Sequence, residues 1–251
     1  RVDYVINPFM DPAVQPDPDL AFRQWHTMVE VLRGLGARVD VLDQRPDAPD
    51  MVYAMNLGLG VVRPDGTRHA VLSHMRFAER RMETRSAAPW LERHGWTTSY
   101  VGRDGVGAHF EAGDAFAFGD ALVVGHGPRT DELALKHLAT ELGVRVRGLR
   151  VTHPSMYHLD LAFCPLDQRR AMVCPAALDG PSGEALLALV PEPLVLTEGE
   201  AIGSLCANSV VVGSTVVMPA CPPRVREQLE GWGFDVVLVD VRNDEAWRQG
   251  R

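Results

Sequence analysis

The sequence has no excess of basic residues and no long apolar run. Its 25 Lys and Arg residues are outnumbered by 33 Asp and Glu residues, for a formal charge of −8. Nucleic acid is therefore not expected as a partner, since phosphate binding needs clustered positive charge. No run approaches the roughly 18 apolar residues of a membrane span, and the first residues, RVDYVINPF, lack a basic-then-apolar signal pattern. We expect a soluble, cytoplasmic protein without a membrane partner.

Cysteine is also scarce. The four cysteines are Cys164, Cys174, Cys206 and Cys221. None forms a CxxC pair, so a structural zinc site is not expected. Each lies within or beside an apolar stretch, as small buried side chains do, and we expect free thiols. No other feature calls for a metal or an organic cofactor, and none is predicted.

The chain has 251 residues, 46% of them hydrophobic, which is enough to bury a substantial core. No linker or low-complexity segment divides it. We therefore expect a single domain over residues 1–251. The sequence leaves open whether the protein forms a homodimer.

An amphipathic helix followed by a short apolar strand recurs along the chain. Helices are predicted from Asp17, as the first N-cap, and over residues 80–94, 130–142, 184–189 and 222–232. Pro89 is expected to break or kink the second helix, and Thr130 to cap the third. The first strand of this kind is ARVDVLD, residues 37–43. Paired strand-like segments lie between these units: MVYAMNLGLG with HAVLSHM, AFAFG with ALVVGH, YHLDLAFC with RAMVC, and CANSVVVG with TVVMP.

The order is thus strand, strand, helix, strand, repeated about five times at roughly 40 to 60 residues. All-β propeller blades contain no helix, and a doubly wound sheet would not supply the hairpins. The predicted fold is α/β: a five-bladed propeller of ββαβ repeats around a pseudo-fivefold axis.

Two segments place ionisable residues among apolar ones. Glu111 lies in FEAGD, where a turn with a solvated carboxylate is the simpler interpretation. His158 and Asp160 lie in YHLDLAF, whose alternation predicts a strand with both side chains on one face. A catalytic pair and a hydrogen-bonded buried histidine both fit this pattern.

Three further polar residues are candidates. Asn56 follows apolar positions in PDMVYAMN, either as a buried amide that needs partners or as a strand-end residue entering a turn. Arg80 and Arg129 stand at predicted helix starts, where positive charge is disfavoured. They are either solvated surface charges or a sign of a nearby anionic ligand.

Together these segments resemble one family. PDMVYAMNLG resembles the PDxVFxxN block of bacterial dimethylargininase-like and arginine-dihydrolase-like proteins. FEAGD is similar to their catalytic glutamate block, GPRTDE to their arginine block and YHLDLAFCPL to their catalytic histidine block. The resemblance covers nearly the whole chain in order. It implies the five-bladed fold of the guanidino-group modifying (pentein) superfamily.

The resemblance also implies roles for individual residues. Glu111 and His158 would be the catalytic acid/base pair, and Asp160 would bind the substrate guanidinium. Arg129 would hold the substrate's α-carboxylate, together with Arg80, and Asp50 would lie near the guanidinium or amino end. Asn56 stands where deiminases have a second guanidinium-binding aspartate, as in the arginine dihydrolases. Two carboxylates suit a planar guanidinium, because each accepts a charge-assisted hydrogen bond.

The family's nucleophilic cysteine lies near the C-terminus, after the strand that GFDVVLVD matches. This sequence ends with VRNDEAWRQGR, before any such cysteine, and none of its four cysteines is at that position. Either a terminal segment is absent from the sequence or the nucleophile is missing from the protein. We expect the former, since the first residue is Arg rather than Met.

The resemblance implies a hydrolase that acts on the guanidinium group of arginine or N-methylated arginine. A covalent cysteine-thiouronium intermediate would give citrulline, or ornithine, with ammonia or methylamine. Amidino transfer to an acceptor amine is an alternative, and so is a non-catalytic binding protein, because a ribosome anti-association factor shares the fold. The presence of Glu111, His158 and Asp160 together argues against the non-catalytic alternative.

Overall fold

A computed structural model of the chain describes residues 1–241. The expectation that a terminal segment with the catalytic cysteine is absent concerns the end of the sequence. Residues 242–251 there lie outside the described residues. The described residues form two compact units. Unit 1 comprises Arg1–Val41, Leu161–Ala176 and the residues from Leu186 onward. Unit 2 comprises Leu42–Asp160 and Ala177–Ala185.

The structure is a mixed α/β fold with small sheets. Its helices are α1 (Pro18–Gly34), α2 (Arg81–Arg93), α3 (Glu132–Leu142), α4 (Gly180–Leu189), α5 (Glu198–Gly203) and α6 (Pro223–Gly231). Its strands are β1 (Gly58–Val62), β2 (Arg68–Leu72), β3 (Thr97–Tyr100), β4 (Gly102–Arg103), β5 (Val106–Gly107), β6 (Ala115–Phe118), β7 (Ala121–His126), β8 (Arg145–Arg150), β9 (Phe163–Pro165), β10 (Arg170–Val173), β11 (Glu192–Val195), β12 (Val210–Val212), β13 (Thr215–Met218) and β14 (Asp235–Leu238).

Four three-stranded sheets share one topology, and β4 pairs with β5 in a separate short hairpin. In each of the four, two successive strands form an antiparallel hairpin, and a third strand after a helix pairs in parallel with the second. In the sheet of β6, β7 and β8, Ala115 is opposite Val124 and Ala121 is opposite Arg145. Within residues 1–241, the predicted strand–strand–helix–strand unit is therefore present in four copies.

The predicted strand over residues 37–43 is wrong, because this segment contains no strand. Alternation only indicates which side chains can share a face, whereas a strand also needs a neighbour for its backbone hydrogen bonds. The segment YHLDLAF is likewise not a strand at its polar end. Leu159–Leu161 form a 3₁₀ turn, and β9 starts only at Phe163. The MVYAMN half of another predicted strand forms two 3₁₀ turns, Pro49–Val52 and Ala54–Leu57.

The helix boundaries follow the sequence signals in part. Helix α4 starts at Gly180 rather than near residue 184, and α5 was not predicted. Asp17 caps α1 as predicted, accepting hydrogen bonds from the backbone N–H groups of Asp19 and Leu20. The N-cap of α3 is Asp131 rather than Thr130, because the Thr130 hydroxyl bonds elsewhere. Pro89 does not break α2, which runs through it to Arg93.

The hydrophobic core beneath α3 positions the segment that contains Phe110 and Glu111. Phe110, Val124 and Leu138 are fully buried in one cluster. Burying each such side chain contributes about 1.5–3 kcal/mol. The backbone of Phe110 is also paired in both directions with that of His74. The backbone position of Glu111, the residue after Phe110, is therefore fixed by this core and this pairing.

Candidate active site

All seven residues that the sequence singled out lie in unit 2, mainly in loops and 3₁₀ turns. Asp50 and Asn56 lie in the turns Pro49–Val52 and Ala54–Leu57, and Arg80 ends the turn Ala78–Arg80. Glu111 directly precedes the turn Ala112–Asp114, Arg129 lies between β7 and α3, and His158 and Asp160 lie at the turn Leu159–Leu161. All seven are at least 90% buried.

The centre of the site is a buried histidine–carboxylate pair. His158 Nε2 lies 2.8 Å from Glu111 Oε2, and the two residues are 3% and 0% exposed. Burial raises the pKa of Glu111, but the hydrogen bond with His158 and the positive charges of His158, Arg129 and Arg80 outweigh it and lower the pKa to about 2. Glu111 is therefore a carboxylate at neutral pH, not the solvated turn residue of the simpler interpretation.

The pKa of His158 shifts in the opposite direction to that of Glu111. Burial lowers the pKa of His158, but its hydrogen bond with Glu111 and the charges of Asp114, Glu111 and Asp160 raise it above the ordinary value. The raised pKa favours the imidazolium form, in which Nε2–H donates to Glu111. The pair is built to hold a charged imidazolium out of water.

Arg129 is part of the same cluster. Its Nη1 donates to Glu111 Oε2 at 3.1 Å, and its guanidinium lies 4.8 Å from the ring centroid of Phe77 and 4.5 Å from that of Tyr157. Such stacking on two aromatic faces fixes a planar guanidinium. The surface-charge interpretation of Arg129 is wrong, since it is only 2% exposed.

Arg80 forms a two-pronged ion pair with Glu83. Nε and Nη2 donate to the two carboxylate oxygens of Glu83, both at 2.8 Å. Arg80 Nη1 also lies 4.0 Å from Glu111 Oε2, and Arg80 Nε lies 3.9 Å from Asp50 Oδ2. The surface-charge interpretation fails here too, because both Arg80 and Glu83 are buried. The anions beside Arg80 and Arg129 in this structure are the protein's own carboxylates.

Asn56 and Asp160 meet at Gly113. Asn56 Oδ1 accepts the backbone N–H of Gly113 at 3.1 Å. A Cβ on Gly113 would lie 2.3 Å from Asn56 Oδ1 and 2.9 Å from Asp160 Oδ2. The site thus brings an amide and a carboxylate together beside a backbone position that has room only for glycine.

Two further residues belong to the site and were not singled out from the sequence. Glu83 holds Arg80, and Asp114 accepts hydrogen bonds from the Thr130 hydroxyl and the Leu159 N–H. The spacing of Arg80 and Glu83, three residues apart at a helix start, could have suggested their pairing. Nothing in the local sequence indicates the partners of Asp114, which come from distant loops.

The four cysteines all belong to unit 1 and are free thiols. Burial raises the pKa of Cys164 and of Cys206 to about 12, and it also raises that of Cys221. A nucleophilic cysteine needs the opposite shift, toward the thiolate. These three thiols therefore lack the environment of an activated nucleophile.

Within residues 1–241, no cluster of three or more His, Cys, Asp or Glu side chains could hold a metal ion. In the same part of the chain, no helix has the length and apolar character needed to cross a bilayer.

Known proteins resemble this chain along almost its whole length. It is 33% identical over 243 residues to N(G),N(G)-dimethylarginine dimethylaminohydrolase of Mycobacterium tuberculosis, which covers 96% of this chain and 76% of that protein. It is 33% identical over 242 residues to the bifunctional arginine dihydrolase/ornithine cyclodeaminase AgrE of Nostoc sp., covering 94% of this chain. The chain spans only 33% of the length of that bifunctional protein.

A solved structure agrees with these relatives. The N-terminal domain of ArgZ, a cyanobacterial arginine dihydrolase, in a cysteine-to-serine variant bound to substrate, matches with a TM-score of 0.88 and 28% identity. The match covers 99% of this chain and 90% of that one. Residues 9–243 also match the family described as N,N dimethylarginine dimethylhydrolase, eukaryotic. Because these matches extend along almost its whole length, the chain belongs to the N,N-dimethylarginine dimethylhydrolase family.

Proposed function

We propose that this protein hydrolyses the guanidinium group of arginine or N-methylated arginine. The observation that carries the proposal is the buried His158–Glu111 pair at 2.8 Å, in the same unit as Asp50, Asn56 and Asp160. The arginine dihydrolase and dimethylaminohydrolase relatives support it. The first hydrolysis gives citrulline with ammonia from arginine, or with methylamine or dimethylamine from methylated arginine. A second hydrolysis, of the ureido group, gives ornithine with carbon dioxide and ammonia.

The cationic substrate is recognised by carboxylates. Asp160 and Asp50 each accept N–H groups of the guanidinium in short charge-assisted hydrogen bonds. Asn56 lies beside Asp160 at Gly113 and offers a neutral acceptor there. A neutral amide binds a guanidinium less strongly than a second carboxylate would, and this favours progress to a second hydrolysis. Arg129 and Arg80 supply positive charge for the α-carboxylate of the substrate.

His158 moves the protons. A cysteine thiolate attacks the guanidinium carbon to form a C–S bond, and the C–N bond breaks as the His158 imidazolium donates a proton to the departing amine. Neutral His158 then takes a proton from water, whose hydroxide adds to the thiouronium carbon. The C–S bond breaks, the thiolate leaves, and loss of the hydroxyl proton gives the ureido product. Glu111 holds the imidazole and stabilises its charged form throughout.

The thiolate is the component that Cys164, Cys206 and Cys221 do not provide, because the pKa of each thiol is raised. It can be located directly in the native full-length protein. Incubation with an arginine-like haloacetamidine, followed by peptide mass spectrometry, labels an activated thiol selectively. Labelling of one cysteine other than Cys164, Cys174, Cys206 and Cys221 supports the thiouronium step. Absence of any labelling, together with absence of turnover, contradicts the enzymatic function.

The decisive assay compares the native protein with His158→Ala on arginine and on asymmetric dimethylarginine. Citrulline, ornithine and the released amine are quantified by mass spectrometry, with and without an added acceptor amine. We expect hydrolysis products from the native protein and a loss of at least about 10²-fold in the variant, since a proton-transfer group is removed. Unchanged circular dichroism establishes that the variant is folded.

Two outcomes of this assay also contradict the proposal. Full activity in His158→Ala removes the histidine from the mechanism. Products formed only when the acceptor amine is present indicate amidino transfer instead of hydrolysis.

We further propose that the four ββαβ units belong to a five-bladed α/β propeller that forms a single domain. The four copies of one sheet topology support it, and the fifth unit would contain α1. A crystal structure with four blades, or with two separately folding domains, contradicts this arrangement. The cytoplasmic location and a homodimer remain predictions, to be checked by fractionation and by light scattering.

A further inference from the structure

Asp114 contacts three segments that each carry a proposed active-site residue. It ends the 3₁₀ turn that begins just after Glu111, and its backbone N–H donates to the Glu111 carbonyl at 3.0 Å. Its Oδ2 accepts the hydroxyl of Thr130, next to Arg129, at 2.6 Å. Its Oδ1 accepts the backbone N–H of Leu159, next to His158, at 2.8 Å.

The Thr130 hydroxyl closes the cluster. While donating to Asp114, it accepts the backbone N–H of Glu111 at 3.1 Å. Room for the carboxylate comes from Gly125, where a Cβ would lie 2.8 Å from Asp114 Oδ1. Asp114 is 1% exposed, so these hydrogen bonds replace its contacts with water.

We propose that Asp114 is a positioning residue, whose carboxylate fixes the Leu159 backbone and the Thr130 hydroxyl so that His158 and Arg129 both reach the same oxygen of Glu111. This inference rests on the proposed hydrolytic function. The relevant distances are 2.8 Å from His158 Nε2 and 3.1 Å from Arg129 Nη1 to Glu111 Oε2. Each partner is adjacent in sequence to a residue that Asp114 holds directly.

Packing alone does not explain a carboxylate at this place. Burial of a carboxylate costs several kcal/mol, and a well-packed apolar side chain often serves stability as well or better. Here burial raises the pKa of Asp114 to about 7, although the His158 charge and the hydrogen bonds from Thr130 and Leu159 act in the opposite direction. A stability cost of this kind is typical of functional positions.

A structural role and a positioning role predict different results for the His158 titration. The charged groups that act on His158 are Glu111, Asp114 and Asp160. Removing the Asp114 charge therefore lowers the pKa of His158, whereas a loss of packing alone does not change it in a defined direction.

The test is Asp114→Asn in the full-length protein, with two readouts. NMR titration of isotope-labelled histidine, assigned with His158→Ala, reports the His158 pKa without any turnover. We expect the midpoint to fall by about one pH unit or more, as for loss of a nearby opposite charge. Steady-state kinetics with arginine should show kcat reduced at least about tenfold, with a smaller change in KM, because the interaction acts on proton transfer.

Thr130 provides a second pair of variants that remains informative if Asp114→Asn does not fold. Thr130→Val removes the hydroxyl and should lower kcat, whereas Thr130→Ser keeps it and should restore most of the activity. Thr140→Val is the matched control, since its hydroxyl bonds only within α3 at an exposed position.

Wild-type kcat and an unchanged His158 midpoint in Asp114→Asn overturn the proposal. So does equal activity of Thr130→Val and Thr130→Ser at the wild-type level. If the native protein turns over neither substrate, the proposed function fails, but the NMR midpoint still decides whether Asp114 acts on His158.

Discussion

One oxygen atom, Glu111 Oε2, is shared by two cationic side chains. His158 approaches it to 2.8 Å and Arg129 to 3.1 Å, and Arg80 lies 4.0 Å away. The other oxygen, Oε1, accepts the backbone N–H of Arg76 at 3.0 Å. These donors stabilise the ionised form of Glu111 and fix its orientation. A change at any of these cations should therefore alter the interaction of Glu111 with His158.

Replacing Arg129 by Ala tests this coupling. Because Arg129 contacts Glu111, we expect kcat to fall at least about tenfold in addition to the rise in KM expected when a carboxylate-binding group is lost. Steady-state kinetics with arginine measures both parameters. Arg145→Ala is the matched control, since Arg145 forms only an exposed ion pair with Asp120. A rise in KM alone would mean that Arg129 binds substrate without assisting Glu111.

The close approach at Gly113 makes a second prediction at this scale. In Gly113→Ala the new methyl group would meet Asn56 Oδ1 at 2.3 Å and Asp160 Oδ2 at 2.9 Å, so both side chains must move. We expect a destabilisation of about 1–3 kcal/mol in urea unfolding and a marked loss of kcat/KM. Gly180→Ala, where no atom lies within 4 Å of the new Cβ, should change neither. Equal behaviour of the two variants contradicts the crowding.

At the scale of elements, short turns rather than strands hold the site. His158 was predicted on a strand, but the Leu159 N–H bonds to the Asp114 carboxylate and is not available to a neighbouring strand. The chain therefore makes a 3₁₀ turn, and both His158 and Asp160 are buried together with Leu159. On a strand with one face toward solvent, either Leu159 or the pair His158 and Asp160 would be exposed. In the turn all three side chains are buried.

Helix α2 contains an element-scale weakness that can be measured. Pro89 is exposed in the helix interior, where it has no N–H to donate to the carbonyl of Arg85. We expect Pro89→Ala to stabilise the protein by up to about 3 kcal/mol, read as a higher urea midpoint at unchanged m. A lower midpoint would show that the ring makes contacts worth more than the missing hydrogen bond.

At the scale of the whole molecule, the buried charges make stability depend on pH. The pKa of Glu111 is lowered from an ordinary 4.5 to about 2 on folding. Its contribution is fully present above about pH 4.5 and is lost as the pH falls through about 2. Asp114, whose pKa is raised to about 7, has the opposite sign: its contribution is present at low pH and is lost as the pH rises through about 7.

Urea unfolding at pH 6 and pH 3 tests the Glu111 contribution. From the two pKa values, the native protein should lose about 2 kcal/mol of unfolding free energy from this carboxylate between these pH values. Glu111→Gln should lack that loss, and Glu184→Gln, an exposed carboxylate on α4, should retain it. Identical slopes for all three proteins would mean that Glu111 has no perturbed pKa.

The sequence predicted the units of the fold better than their edges. Helices α3 and α6 and the hairpins of β6 with β7 and β12 with β13 were all predicted, because periodicity, Gly143 and Gly233 are local signals. A strand was also predicted over residues 37–43 but is absent, because pairing depends on a neighbour that no local pattern specifies. Six of the seven site residues were candidates from their sequence context, whereas Asp50 and the roles of all seven came from a resemblance. The structure places all seven buried in one unit.

What the sequence determined by itself was therefore the ββαβ unit, the chemical types at the site and the family. The tertiary structure alone decided that Glu111 serves both His158 and Arg129, that Glu83 holds Arg80, and that Asp114 joins three distant loops. The physical reason is the separation along the sequence over which each kind of interaction acts. Helix and turn signals act over a few residues, whereas these hydrogen bonds connect residues 16 to 47 positions apart, except for the local pair of Arg80 and Glu83.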